Sequence, residues 1–175
     1  IKYWVSEPDG GQANAVGKGF EHASGEILAF LNSDDVYLPG ALRHAADFIS
    51  ARPHCEWLAG DCMRFSVDSS HPPMVTVVPT SRAVWTDHCP IFQPATFWRR
   101  SAYDKVGRYP ARVRYSHDWD FWLQLVFAGV RCHYLARPLA GFRVHGSSAT
   151  HVLQEKIRVE DEFLRKEFAA MLTPA

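Results

Sequence analysis

The 175-residue sequence contains no apolar run approaching the roughly 20 residues that a membrane-spanning helix requires. It also lacks internal repeats and low-complexity linkers. No charge of one sign is in excess, because 19 Lys and Arg balance 19 Asp and Glu. Nothing therefore recruits nucleic acid or anionic lipid over a broad surface. The basic spots Arg99-Arg100 and Arg112 to Arg114 are too small for a nucleic-acid footprint. Cysteine is scarce: Cys55, Cys62, Cys89 and Cys132 form neither a C-x-x-C zinc pair nor a disulfide framework. They read as reduced thiols of a cytosolic protein. No methionine precedes Ile1, and the opening residues already look like a core strand, so the chain reads as a piece of something longer. What is present is an apolar fraction of 47%, enough for the core of one ordinary globular domain.

The hydrophobic pattern alternates strand and helix. A short strand is expected over 2–6, closed by the turn Glu7-Pro8-Asp9-Gly10-Gly11. Helical spacing over 12–24 places Ala13, Val16, Phe20 and Ala23 on one stripe, with Gly25 closing it. A strand over 27–31, a helix starting at Pro39 and ending before Pro53, and a strand over 56–60 complete a pattern that predicts an α/β fold. In it a mostly parallel, Rossmann-like sheet carries flanking helices. Met63 to Val67 and Met74 to Val78 read as a hairpin leaving the main sheet. Helices over 101–106 and 116–128 end at Gly107 and Gly129, and a strand over 131–135 leads into a loop through His145. The reading divides the chain into a domain over 1–150 and a terminal amphipathic helix over 151–175. Leu153, Ile157, Leu164, Phe168 and Met171 form that helix's stripe.

Four groups of residues can carry chemistry. Apolar Ile27 to Phe30 stops abruptly at Leu31-Asn32-Ser33-Asp34-Asp35, an acidic turn at a strand's carboxyl end, where open α/β sheets bind ligands. Two adjacent carboxylates there are tolerable if a divalent cation neutralises them. The alternative is an acidic cap for the helix at Pro39, which accounts for one Asp but not two. In Ser116-His117-Asp118-Trp119-Asp120, Ser116 can cap a helix and Asp118 falls in its first turn, where the dipole favours an ionised carboxylate suited to a general base. An ordinary dipole-stabilising acid explains either Asp equally well. In Phe142-Arg143-Val144-His145, the imidazole suits a manganese-type ion and Arg143 can offset phosphate charge. A solvated loop histidine is the plainer reading there. Gln93, Trp98 and their neighbours over 92–100 can stack on and orient a sugar, as Trp119 and Asp120 can, or they can be a core strand with a basic end.

Taken together, the stretches "SEPDGGQANAVGKGFEHASGEILAFLNSDDVYLPGAL", "QPATFWRR", "SHDWDFWLQLVFAG" and "FRVHGSS" resemble the inverting glycosyltransferases of family 2, with their glycosyltransferase-A fold. The resemblance runs to about His145 and implies transfer of a sugar from a nucleoside diphosphate sugar to an acceptor hydroxyl, with Mn²⁺ or Mg²⁺. On that pattern Asp34 is the metal-binding acid, Asp35 adjoins it, Asn32 and Arg143 meet the donor, Asp118 is the base and His145 touches metal or diphosphate. Gln93, Trp98, Trp119 and Asp120 then fall to the sugar or acceptor side. Asn32 departs from the usual Asp, and Gly17 stands where relatives carry Asn.

The resemblance also implies that the family's first strand–helix–strand unit is absent from this chain, which weakens donor binding and leaves an edge prone to self-association. It places the protein in bacterial polysaccharide or glycoconjugate synthesis, acting on a saccharide or lipid-linked acceptor. Its expected location is the cytoplasm or the inner face of the membrane, where the terminal helix either touches lipid or packs on its own domain. The competing classes are a noncatalytic nucleotide-sugar or metal-binding module and, less well supported, a two-metal phosphoesterase.

Overall fold

The computed structural model describes residues 1–66 and 70–172, with main chain alone at 70–73 and 149. Helix α1 (Gln12–His22) leads into the short strands β1 (Ile27–Leu28) and β2 (Val36–Tyr37). Helix α2 (Ala41–Ser50) crosses to the long strand β3 (Trp57–Phe65), which hairpins into β4 (Ser70–Met74). After α3 (Arg82–Asp87) and a 3₁₀ turn at Gln93–Ala95 come β5 (Thr96–Arg99), α4 (Arg100–Val106) and α5 (His117–Phe127). The chain closes with β6 (Cys132–Arg143), α6 (Ala149–Val152) and α7 (Gln154–Ala170). None of the described helices is long and apolar enough to cross a membrane.

The α/β class and the flanking helices match the sequence pattern, but the sheet is mixed rather than mostly parallel. Its order is β1-β5-β3-β6-β2, with β4 on β3. Among the described residues only β3 and β6 pair in parallel, while β5 lies antiparallel to both β1 and β3. β1 and β3 therefore run in the same direction, as the intervening helix requires, yet β5 is inserted between them. One edge of β3 is shared: β5 covers Trp57 to Ala59 and β4 covers it from Cys62 onward. The expected second hairpin strand at Met74 to Val78 thus forms earlier, at Ser70–Met74, and Val67 lies outside the described residues.

Three other expectations shift. No strand forms over 2–6, because no strand lies beside it among the described residues to share main-chain hydrogen bonds. Side chains hold that segment instead: Tyr3 stacks on His22 at 4.1 Å, and Lys18 Nζ meets Glu7 at 2.7 Å. Helix α2 starts at Ala41 rather than Pro39, after Gly40 takes a left-handed φ of 81°. β6 continues to Arg143 where a loop was expected, absorbing residues 136, 137 and 139 in two irregularities on either side of the Asp61–Pro138 pair.

Alternation along β3 and β5 splits the core between the two faces of the sheet. Trp57 and Trp98 face a cluster with Phe20, Phe121, Trp122, Leu164 and Phe168. Leu58 and Phe97 face Ala41, Ala45, Ile49 and Leu139. Helix α7 accordingly packs on its own domain through Leu164 and Phe168, whereas Met171, past the helix end, is exposed.

Candidate active site

The acidic turn, the 3₁₀ turn and the start of α5 surround a cavity of about 520 Å³. Asn32, Asp34, Gln93 and Asp118 all line it. Residues from three separate stretches are thus brought to one cleft at the ends of the strands.

The two adjacent acids diverge. Asp34 keeps 38% of its side chain exposed, and its Oδ2 lies 3.0 Å from His145 Nε2. The other ring nitrogen, Nδ1, lies 2.9 Å from Ser147 Oγ, which orients the imidazole. Asp35 turns inward. Its Oδ1 accepts the Arg143 N–H at 3.0 Å and its Oδ2 accepts from Asn32 Nδ2 at 3.4 Å. Burial pushes its carboxyl above the usual range, against the pull of the Arg143 N–H. Asp35 is buried behind the cavity wall that Asp34 lines, and it fastens the acidic turn to β6.

Arg143 and His145 are likewise outside the cavity wall, and both border Asp34. Arg143 Nε donates to the Asp34 carbonyl at 2.9 Å and its guanidinium covers the Phe65 ring at 4.9 Å. It shapes the turn and is not on the cavity wall. Asn32 is tied at both ends: its Oδ1 accepts from Gln12 Nε2 at 2.7 Å, and its Nδ2 donates to Gln93 Oε1 at 3.2 Å. Gln93 in turn donates Nε2 to the Phe30 carbonyl at 2.7 Å.

Asp118 sits in the first turn of α5, half-buried on the cavity wall, and its Oδ1 accepts the Trp119 N–H at 2.8 Å. Ser116 stands at the N-cap position but makes no side-chain cap. Three residues expected near a sugar are instead in the core. Trp98 is fully buried among Phe20, Phe121 and Trp122, and Trp119 donates Nε1 to the Trp85 carbonyl at 2.9 Å. Asp120, also fully buried, accepts Arg112 Nε at 2.7 Å and Nη2 at 2.6 Å. Two residues apart on a helix, Asp118 and Asp120 point to opposite sides, and only Asp118 reaches the cleft.

Two wall residues escape a reading of the sequence. His117 is buried against Tyr109, whose OH lies 2.8 Å from Nδ1, and burial holds its imidazole below the usual range. Its place beside Asp118 in the acidic motif was the available signal. Arg64, near the end of β3, is the one Lys or Arg on the cavity wall among the described residues. Nothing in its local sequence marks it.

Among the described residues no three His, Cys, Asp or Glu side chains converge as a self-sufficient metal cage. Asp34 and His145 nevertheless fit a divalent ion. A carboxylate oxygen and an imidazole nitrogen converge, and such an ion normally completes its shell with phosphate oxygens and water.

A sequence model described as "Glycosyl transferase family 2" matches residues 1–107. An uncharacterized glycosyltransferase of Mycobacterium tuberculosis strain H37Rv is 32% identical over 126 residues, covering 70% of this chain and 47% of that protein. An uncharacterized glycosyltransferase of Nostoc is 26% identical over 153 residues, covering 82% of this chain and 47% of its own length. The chain thus spans about half the length of the curated relatives it matches. Among solved structures, S. aureus TarS 1-349 in complex with UDP-GlcNAc superposes with a TM-score of 0.63 at 18% identity, over 94% of this chain and 54% of that one. That likeness concerns the fold.

Proposed function

Because the chain belongs to glycosyl transferase family 2, we propose that it moves a sugar from a nucleoside diphosphate sugar to an acceptor hydroxyl, with inversion at the anomeric carbon and help from Mn²⁺ or Mg²⁺. The carrying observation is charge in the cleft: Asp34 and Asp118 share a wall on which Arg64 is the one Lys or Arg among the described residues. A diphosphate entering that cleft meets more negative than positive charge, so a divalent cation is required to balance it. Asp34 and His145 would hold that ion, which when bound neutralises the diphosphate and the charge it gains on leaving.

The remaining chemistry belongs to the chain's own residues. Asp118 takes the proton of the acceptor hydroxyl as that oxygen attacks the anomeric carbon. One carbon–oxygen bond forms, the bond to the diphosphate breaks, and the proton resides on the Asp118 carboxylate. The Trp119 N–H on Oδ1 holds that carboxylate and leaves Oδ2 to the acceptor. His117, kept neutral by burial, adds no positive charge that would make Asp118 a weaker base. The family points to polysaccharide or glycoconjugate synthesis, with a saccharide or lipid-linked acceptor presented at the cytoplasmic face of a membrane.

Asp118→Asn tests this reading. With UDP-GlcNAc and Mn²⁺ as the probe, sugar release is expected to fall by about 10²- to 10⁴-fold, while the affinity for the probe changes little. Turnover equal to the unsubstituted chain would remove Asp118 from the base role. Probe and ion binding without turnover in the unsubstituted chain would favour the noncatalytic module.

A further inference from the structure

The first turn of α5 lacks a side-chain cap of its own, and the groups that secure it come from α7, some 45 residues later. Glu160 Oε1 accepts the Arg114 N–H at 2.9 Å, and its Oε2 accepts the N–H groups of Tyr115 at 2.7 Å and Ser116 at 3.0 Å. The neighbouring Asp161 Oδ1 accepts the Ser116 hydroxyl at 2.6 Å. Three main-chain donors converging on one carboxylate form an anion nest filled from within the chain. This nest ends two residues before Asp118.

Holding α7 in place does not explain this arrangement. The helix is already fastened by Leu164 and Phe168 in the core, by Arg165 Nε on the Asp87 carbonyl at 2.7 Å and by Glu167 on Arg112 at 2.5 Å. Glu160 acts elsewhere, on the strip of backbone that delivers the base to the cleft. One turn before it, Ile157 lines the same cavity as Tyr115.

We propose that Glu160 is a positioning residue: by gathering the amides of residues 114–116 it fixes the start of α5 and so the direction of the Asp118 carboxylate. Asp161 assists through Ser116. The inference rests on the reading of Asp118 as the base. It also makes α7 part of the catalytic unit rather than an appendage.

The Trp119 amide reports the pose directly, because it donates to Asp118 Oδ1. Amide hydrogen exchange on the folded chain is compared for Glu160→Asp, Glu160→Gln and Phe168→Leu, the last of which loosens α7 against Phe127 at the far end of α5. Glu160→Asp keeps the charge but is one methylene too short to reach all three amides, which isolates geometry. Both Glu160 variants are expected to speed Trp119 exchange by roughly tenfold or more, while Phe168→Leu leaves it unchanged. Unaltered Trp119 protection in folded Glu160 variants, or equal acceleration in Phe168→Leu, would overturn the proposal by reducing Glu160 to a fastener of the helix. Should Glu160→Gln fail to fold, the isocharged Glu160→Asp decides alone. This readout is independent of turnover, so a failure of the base reading in Asp118→Asn is seen separately.

Discussion

Replacing Arg112 by Met should separate the two acids at the start of α5, because Asp120 depends on that guanidinium and Asp118 does not. Asp120 is fully buried and takes two of its hydrogen bonds from Arg112, whereas the Arg112 side chain keeps 36% of its exposure and also reaches Glu167. The pair is therefore unequal. Removing the guanidinium strands a charge in the core, with Gln124 Nε2 at 3.1 Å as its other side-chain donor. Removing the carboxylate leaves a cation that still meets water and Glu167.

Losing the partner of a buried charge costs about 3–5 kcal/mol, so Arg112→Met should lose that much at pH 7. Asp120→Asn, which keeps an acceptor in place, should lose about 1–3 kcal/mol. Urea unfolding followed by tryptophan fluorescence at pH 7 measures both deficits. An Asp120→Asn deficit as large as that of Arg112→Met would refute the reasoning.

A Cβ at Gly60 would stand 2.5 Å from Leu139 Cδ1 and 2.9 Å from the Arg137 carbonyl oxygen, so Gly60→Ala should lose about 1–3 kcal/mol, seen as a thermal midpoint lowered by several degrees. An unchanged midpoint would mean that the β6 bulge yields freely. Burial lowers the His117 imidazole, so the unfolded chain takes the proton first as the pH drops through about 6.5, and stability falls with it. Urea midpoints of His117→Asn should show a shallower loss between pH 7 and 5.5 than the parent; identical slopes would count against this. His133 is lowered by burial too and keeps some slope in the variant.

Local signals in the sequence were legible wherever a local cause exists. The apolar stripe of α1 and the glycine ending α4 needed no tertiary information; Gly107 takes a φ of 86° as that position demands. The acidic turn could also be recognised, because apolar residues stopping at two carboxylates carry their own explanation. Its division of labour could not: Asp35 faces inward because Arg143, 108 residues away, presents an N–H to it. The same distance effect hid the insertion of β5 between β1 and β3, since direction is encoded by an intervening helix but neighbour order is not. Trp98 and Trp119 show that aromatic residues near a motif can equally be core, a question that sheet register and the Trp85 carbonyl settle. Nothing local marks Glu160, because the three amides it gathers lie 44 to 46 residues earlier in the chain.

The most direct test of the account is Mn²⁺ binding followed by electron paramagnetic resonance, with UDP present and absent, in the parent chain and in Asp34→Asn. The account predicts that UDP strengthens Mn²⁺ binding in the parent, and that Asp34→Asn weakens the ternary binding by at least about tenfold. Mn²⁺ binding that is indifferent to UDP, or equal in Asp34→Asn, would contradict it.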